Sequence, residues 1–178
     1  MRYGDQLIDA LRGQKELEKQ TVLGFITMKE KRRFVEELLA EGVRLRVCVD
    51  DIDQYGLLLV DLDLEVTEER FAGRDAADFQ YRVKRVCEEI PYLDGNFQLV
   101  EMDRKGLHAV LRTEPTKDIE KSYYELEIID GREARLRRFT LSGDVPRRNA
   151  SVAVLSTDTF RRLTDRLIEI FGPAGPIR

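Results

Sequence analysis

The sequence predicts an α+β domain built on an antiparallel sheet of about six or seven strands with helices packed against it. Three observations carry that reading. Residues 43–51 and 57–66 alternate apolar and polar side chains with the period of a half-buried strand. Asp130-Gly131 stands between two more alternating segments, a strong hairpin signal. Phe79, Val83, Val86, Cys87 and Ile90 recur at helical spacing and form one apolar stripe. A meander of hairpins can also curl into a partial barrel.

The elements follow in chain order. Leu7, Ile8 and Leu11 begin a narrow helical stripe that gives way to charged and polar residues after Gly13. Thr27 and Glu30 have the T-x-x-E spacing of a capping box, and Phe34, Val35, Leu38 and Leu39 follow at helical spacing, with Gly42 as a left-handed stop. Residues 1–40 therefore read as an N-terminal helical region, as one kinked helix or two, packed on or extending from a single α+β domain over 41–178. In the first hairpin, pairing Leu45 with Leu62 also pairs Arg44 with Asp63 and Arg46 with Asp61, so burial and charge agree. That register sets Leu58, Val60, Leu62 and Leu64 on one face, and Asp53 to Gly56 makes the turn.

Asp75 can cap the helix that carries the stripe of Phe79, and Pro91 ends it. Residues 97–103 and 107–113 flank a turn in which Gly106 supplies positive φ. Both faces of that pair are partly apolar, which predicts a central position covered on both sides. A bulged turn at Asp130-Gly131 sets Glu127 against Arg135, Glu125 against Arg137 and Tyr123 against Phe139. Residues 143–149 read as a loop and 151–155 as a short strand. Ser156 or Thr157 caps a last helix carrying Phe160, Leu163, Leu167, Ile170 and Phe171, closed by Gly172 and Pro173.

Composition excludes several chemistries. The 178 residues suit one domain, long enough to bury about 70% of the unfolded chain's surface without a staple. Cys48 and Cys87 lie in no metal-ligand spacing and read as core thiols, and the one histidine, His108, has no nucleophile elbow to serve. No glycine-rich phosphate cradle occurs. No cofactor is expected. No apolar run is long enough for a membrane span, and Met1 to Asp5 opens no signal peptide, so a cytoplasmic protein is expected.

Three features invite a functional reading. The acidic turn Asp50, Asp51 and Asp53, with Asp61 and Asp63 nearby, offers oxygens to a hard cation, but not at EF-hand spacing. Charge is also uneven. Residues 1–131 carry a balance of -9, and residues 132–178 a balance of +5 in which every base is arginine. If Arg137, Arg138, Arg147, Arg148 and Asn149 converged, they would make an anion site, since a guanidinium binds carboxylate or phosphate with two parallel bonds. The overall acidity and the lack of a basic-aromatic stretch argue against nucleic acid. Finally, the narrow stripe of Leu7, Ile8 and Leu11 suits a helix that packs on another protein or another copy. The function expected is a non-enzymatic protein-interaction module, an adaptor, chaperone or regulator that self-associates as a homodimer. The alternative is a binding domain for a small anionic ligand or nucleotide through the C-terminal arginines.

Overall fold

The computed structural model describes residues 2–22, 33–67, 75–142 and 147–172. Within them lie three helices, α1 (Tyr3–Val22), α2 (Ala76–Glu89) and α3 (Thr157–Phe171). The strands are β1 (Phe34–Ala40), β2 (Val43–Ile52), β3 (Gly56–Val66), β4 (Gln98–Asp103), β5 (His108–Arg112), β6 (Lys121–Ile129), β7 (Glu133–Ser142), β8 (Arg147–Ser151) and β9 (Ala153–Ser156). They form one antiparallel nine-stranded sheet, in the order β1-β2-β3-β7-β6-β5-β4, with β8 on β7 and β9 on β3. The sheet stays open, so the partial barrel does not form.

Two of the nine strands come from segments read otherwise in the sequence. Phe34–Ala40 is a strand and not a helix. Its apolar residues satisfy either period, and Gly42 does not distinguish them. Glu41 (φ 50) and Gly42 (φ 69) form the two-residue turn between Ala40 and Val43, and both residues of such a hairpin turn need positive φ. A helix stop places the same demand on its glycine. The proposed cap at Thr27 and Glu30 lies outside the described residues. Residues 147–151 pair with β7 as β8, although 143–149 read as loop because the exposed Arg147, Arg148 and Asn149 put polar side chains on both faces.

The first hairpin keeps the predicted buried face of β2 and of Leu62 and Leu64 in β3, but its register slips by two residues. Leu45 opposes Leu64, Arg44 opposes Glu65 and Arg46 opposes Asp63. In β3 the buried positions change phase: Leu57 and Leu59 are buried on one side of Val60-Asp61, and Leu62, Leu64 and Val66 on the other. A strictly alternating reading misses that switch, and so it misassigns Leu58 and Val60. The Asp130-Gly131 hairpin has the predicted register, with Tyr123, Glu125 and Glu127 opposite Phe139, Arg137 and Arg135. In the β4–β5 turn the positive φ (50) belongs to Leu107 and not to Gly106.

β4 is an edge strand and not a central one. Leu99 and Val100 are exposed, and only Met102 packs against the core. The apolar pattern on both faces arises from a bulge, with Val100 the extra residue between the pairs Leu99–Leu111 and Glu101–Val110.

Val43, Leu45, Val47, Leu62, Leu126 and Leu136 point to the inner face. They share one core cluster with residues of all three helices. Asp75 caps α2 by accepting from Ala77 N, and Ser156 caps α3 by accepting from Thr159 N. In α1 the stripe of Leu7, Ile8 and Leu11 turns inward, each side chain at most 1% exposed. The stripe that suggested an outside partner is a core face. α1 also crosses α3 closely: a Cβ on Gly4 would stand 2.6 Å from Arg161 Cα. Arg161 Nε meets Asp5 at 2.5 Å, and Gly4 N donates to Asp165. At the other end, Arg12 donates to Asp53 O in the β2–β3 turn and Lys15 to Ile52 O at the end of β2.

α1 is thus part of the single core. Leu11→Ala is expected to lower unfolding stability by about 2–5 kcal/mol. Urea denaturation should show one cooperative transition shifted as a whole; an unchanged midpoint would mean that α1 folds apart from the sheet.

Candidate functional site

The inner face packs under the helices, and no described helix covers the outer face. Its residues follow from strand parity: Glu37 on β1; Arg44 and Arg46 on β2; Asp61, Asp63 and Glu65 on β3; Arg135 and Arg137 on β7; Glu125 and Glu127 on β6; His108 and Arg112 on β5; Glu101 and Asp103 on β4. The sign of the charge therefore alternates strand by strand across the sheet. Glu65 opposite Glu133, Lys121 on β6 and Arg148 of β8 beside β7 depart from the alternation; Glu65 pairs with Arg44 at 2.7 Å and Glu133 with Arg135 at 3.1 Å.

Toward β8 the pattern becomes a built cluster. Tyr123 and Phe139 stack with centroids 5.8 Å apart. They lie outside the main core, yet are only 6% and 8% exposed. Arginines roof them: the Arg148 guanidinium lies 3.6 Å over Phe139, and that of Arg112 5.6 Å over Tyr123. Glu125 holds both, accepting from Arg112 Nε at 2.6 Å on one oxygen and from Arg148 Nη2 on the other. Sequence reasoning assigned Glu125 to Arg137 and overlooked Arg112. Aligning β5 on β6 would have found it, because Arg112 directly opposes Glu125.

The C-terminal arginines do not converge. Adjacent strand residues point to opposite faces, so Arg137 and Arg148 lie outward while Arg138 and Arg147 lie on the other side. Arg137 reaches Asp63 at 3.5 Å. Arg138 has a structural task. β3 and β7 pair only at Leu62–Glu65 with Glu133–Leu136 and then separate. β8 runs along β7 and β9 returns along β3, so Val152 sits at the apex of the fork. Arg138 Nη1 donates to Ser151 Oγ and Val152 O, both at 3.3 Å, and its Nη2 donates to Ser122 Oγ at 2.6 Å. Nearby, burial pushes the Tyr124 phenol up to about 12, with Asp94 adding to the shift. Arg147 is exposed opposite Ser142, and Asn149 donates to Ser142 Oγ.

The acidic turn diverges as well. Asp50 pairs with Arg33, Asp51 with Lys15 at 2.6 Å. Asp53 Oδ1 accepts from Tyr55 N and Gly56 N, and these bonds hold its carboxyl below the usual range. Among the described residues no group of three His, Cys, Asp or Glu could hold a metal ion. His108 Nε2 lies 3.1 Å from Glu127. Burial, then the charge of Asp61, pushes the Cys48 thiol up, which keeps it protonated and unreactive.

Asp61 carries an electrostatic strain. Its Oδ1 is buried with no hydrogen-bond partner among the described residues, and its nearest cation, Arg46, is 3.8 Å away. Desolvation, then Asp63, raises its pKa, and Arg137, Arg46 and Arg33 offset this only in part.

Compared with known protein families, with curated proteins and with solved structures, the chain matches none of them. No described helix is long and apolar enough to cross a membrane.

Two outcomes follow. An acid whose folded pKa is raised folds best protonated, so the penalty of charging Asp61 appears as pH rises through the unfolded value, about 4. Asp61→Asn should raise Tm at about pH 7, and the gain should shrink toward zero at about pH 4; an equal gain at both would refute this electrostatic account. Glu125→Gln removes the charge that anchors two guanidiniums, and about 1–3 kcal/mol of stability should go with it, read from urea midpoints.

Proposed function

We propose that the chain is a non-enzymatic protein-interaction module, of the adaptor, chaperone or regulator kind, whose partner is a second copy docked across the outer sheet face. The observation that supports this is the strand-by-strand alternation of charge on a face without a described helix. A two-fold axis lying along the strands and falling between two of them sets every basic column over an acidic one, the self-complementarity a symmetric dimer needs. Stacked sheets lie about 10 Å apart, a span that arginine and carboxylate side chains can bridge together. A groove of about 360 Å³ among Arg44, Arg46, Arg135, Glu37, Asp63 and Glu133 gives such side chains room to enter.

The outer charges already have partners within the chain, so docking exchanges one set of ion pairs for another. The dimer is therefore weak and salt-sensitive. The anionic-ligand reading has less support, because its arginines divide between two faces.

Sedimentation velocity tests the proposal. A concentration-dependent dimer is expected at an ionic strength of about 0.01 M, where the Debye length is about 30 Å, and it should be lost near 1 M. Arg135→Glu with Arg137→Glu should weaken the dimer at least tenfold, with circular dichroism confirming the fold. A chain that stays monomeric at every concentration in low salt overturns the proposal.

A further inference from the structure

We infer that the free edge of β4 accepts a short extended segment of a partner protein that carries lysine or arginine at alternate positions. The inference rests on the reading of the chain as an interaction module, but not on its self-association.

The two edges of the sheet differ. At β1, Gln14 of α1 donates to the Val35 carbonyl at 2.8 Å, so the helix occupies an outward backbone group. At β4 no described backbone bond reaches the outward groups of Gln98–Asp103 from another segment. Unpaired edge groups of this kind template an added strand, whose main-chain bonds give affinity while alternate side chains give selectivity. Leu99 and Val100, 45% and 53% exposed, offer apolar contact there.

Charge decides which segment fits. The alternating columns end on an acidic strand, so the next one in the series is basic. Glu101 makes this concrete. Its cross-strand neighbour is Val110, and it has no ion-pair partner among the described residues, unlike Glu125, Asp63 and Glu65 on the strands within the sheet. Arg104 and Lys105 stand at the β4–β5 turn, so the favoured basic positions lie opposite Glu101 and toward Glu114, which Gln98 holds beside the other end of the strand. A second copy is disfavoured, because β4 against β4 brings Glu101 and Asp103 near their own kind. The bulge at Val100 twists the edge away from long flat pairing, which limits the occupant to about five residues.

The test uses the full chain and a capped heptapeptide that alternates lysine with valine, with glutamate in place of lysine as control. Saturable shifts of β4 and β5 amide resonances are expected with the lysine peptide only. Glu101→Lys should weaken that binding at least tenfold and create binding of the glutamate peptide. Diffuse or unsaturable shifts, or equal affinity for both peptides, overturn the inference. So does concentration-dependent protection of β4 amides in the chain alone, which would place a second copy on the edge. Failure of the face-to-face dimer leaves these shifts untouched, so the two proposals fail separately.

Discussion

The alternation of charge across the outer face bears on the one junction of the sheet path that chain connection does not set, β3 beside β7. Apolar burial fixes which side of each strand faces the helices, but Val, Leu and Ile on one inner face resemble those on the next. They do little to decide which strand lies beside which. The outer face supplies that information. β7 carries Arg135 and Arg137 and sits between β3, with Asp61 and Asp63, and β6, with Glu125 and Glu127. Exchanging β3 for the basic strand β2 would set arginine against arginine, and cross-strand like charges are unfavourable. Each exposed pair is worth little alone, so the pattern selects among alternatives more than it adds stability.

The fork between β3 and β7 shows how the sheet meets competing demands. The phase switch at Val60-Asp61 keeps Leu57 and Leu59 buried along with Leu62 and Leu64, and beyond it β3 leaves β7. The apex of β8 and β9 enters the gap, where Arg138 satisfies its polar groups. Asp61 stands at the same switch, its Oδ1 without a hydrogen-bond partner among the described residues. The local strain and the repair thus arise from one departure from regular alternation.

The parts legible in the sequence were those where two independent signals agreed. At Asp130-Gly131 the turn chemistry and the opposite charges gave one register, and the fold has it. In the first hairpin, charge and burial agreed equally well with a register two residues away, since Asp61, Asp63 and Glu65 repeat the same chemistry with the strand's own period. β1 was ambiguous in principle, because its apolar residues fit two periods and Gly42 serves either as helix stop or hairpin turn. The arginines that the sequence groups together divide between two faces for a geometric reason: consecutive positions in a strand cannot face the same way, and Arg137-Arg138 and Arg147-Arg148 are both consecutive.

The exclusive use of arginine after residue 131 gains a structural explanation. Arg138 reaches two hydroxyls and a carbonyl at once. Arg148 bonds Glu125 while its flat face lies on Phe139. Arg161 joins Asp5 of α1 to Asp158 of α3, and Arg166 joins Glu89 of α2 to Glu169. Each links partners in different directions, which a planar guanidinium with five donors can do and a single ammonium on a flexible stem does poorly. A surplus of arginine that looked like an anion site is therefore largely a set of fasteners between elements. The outer face keeps columns of both signs.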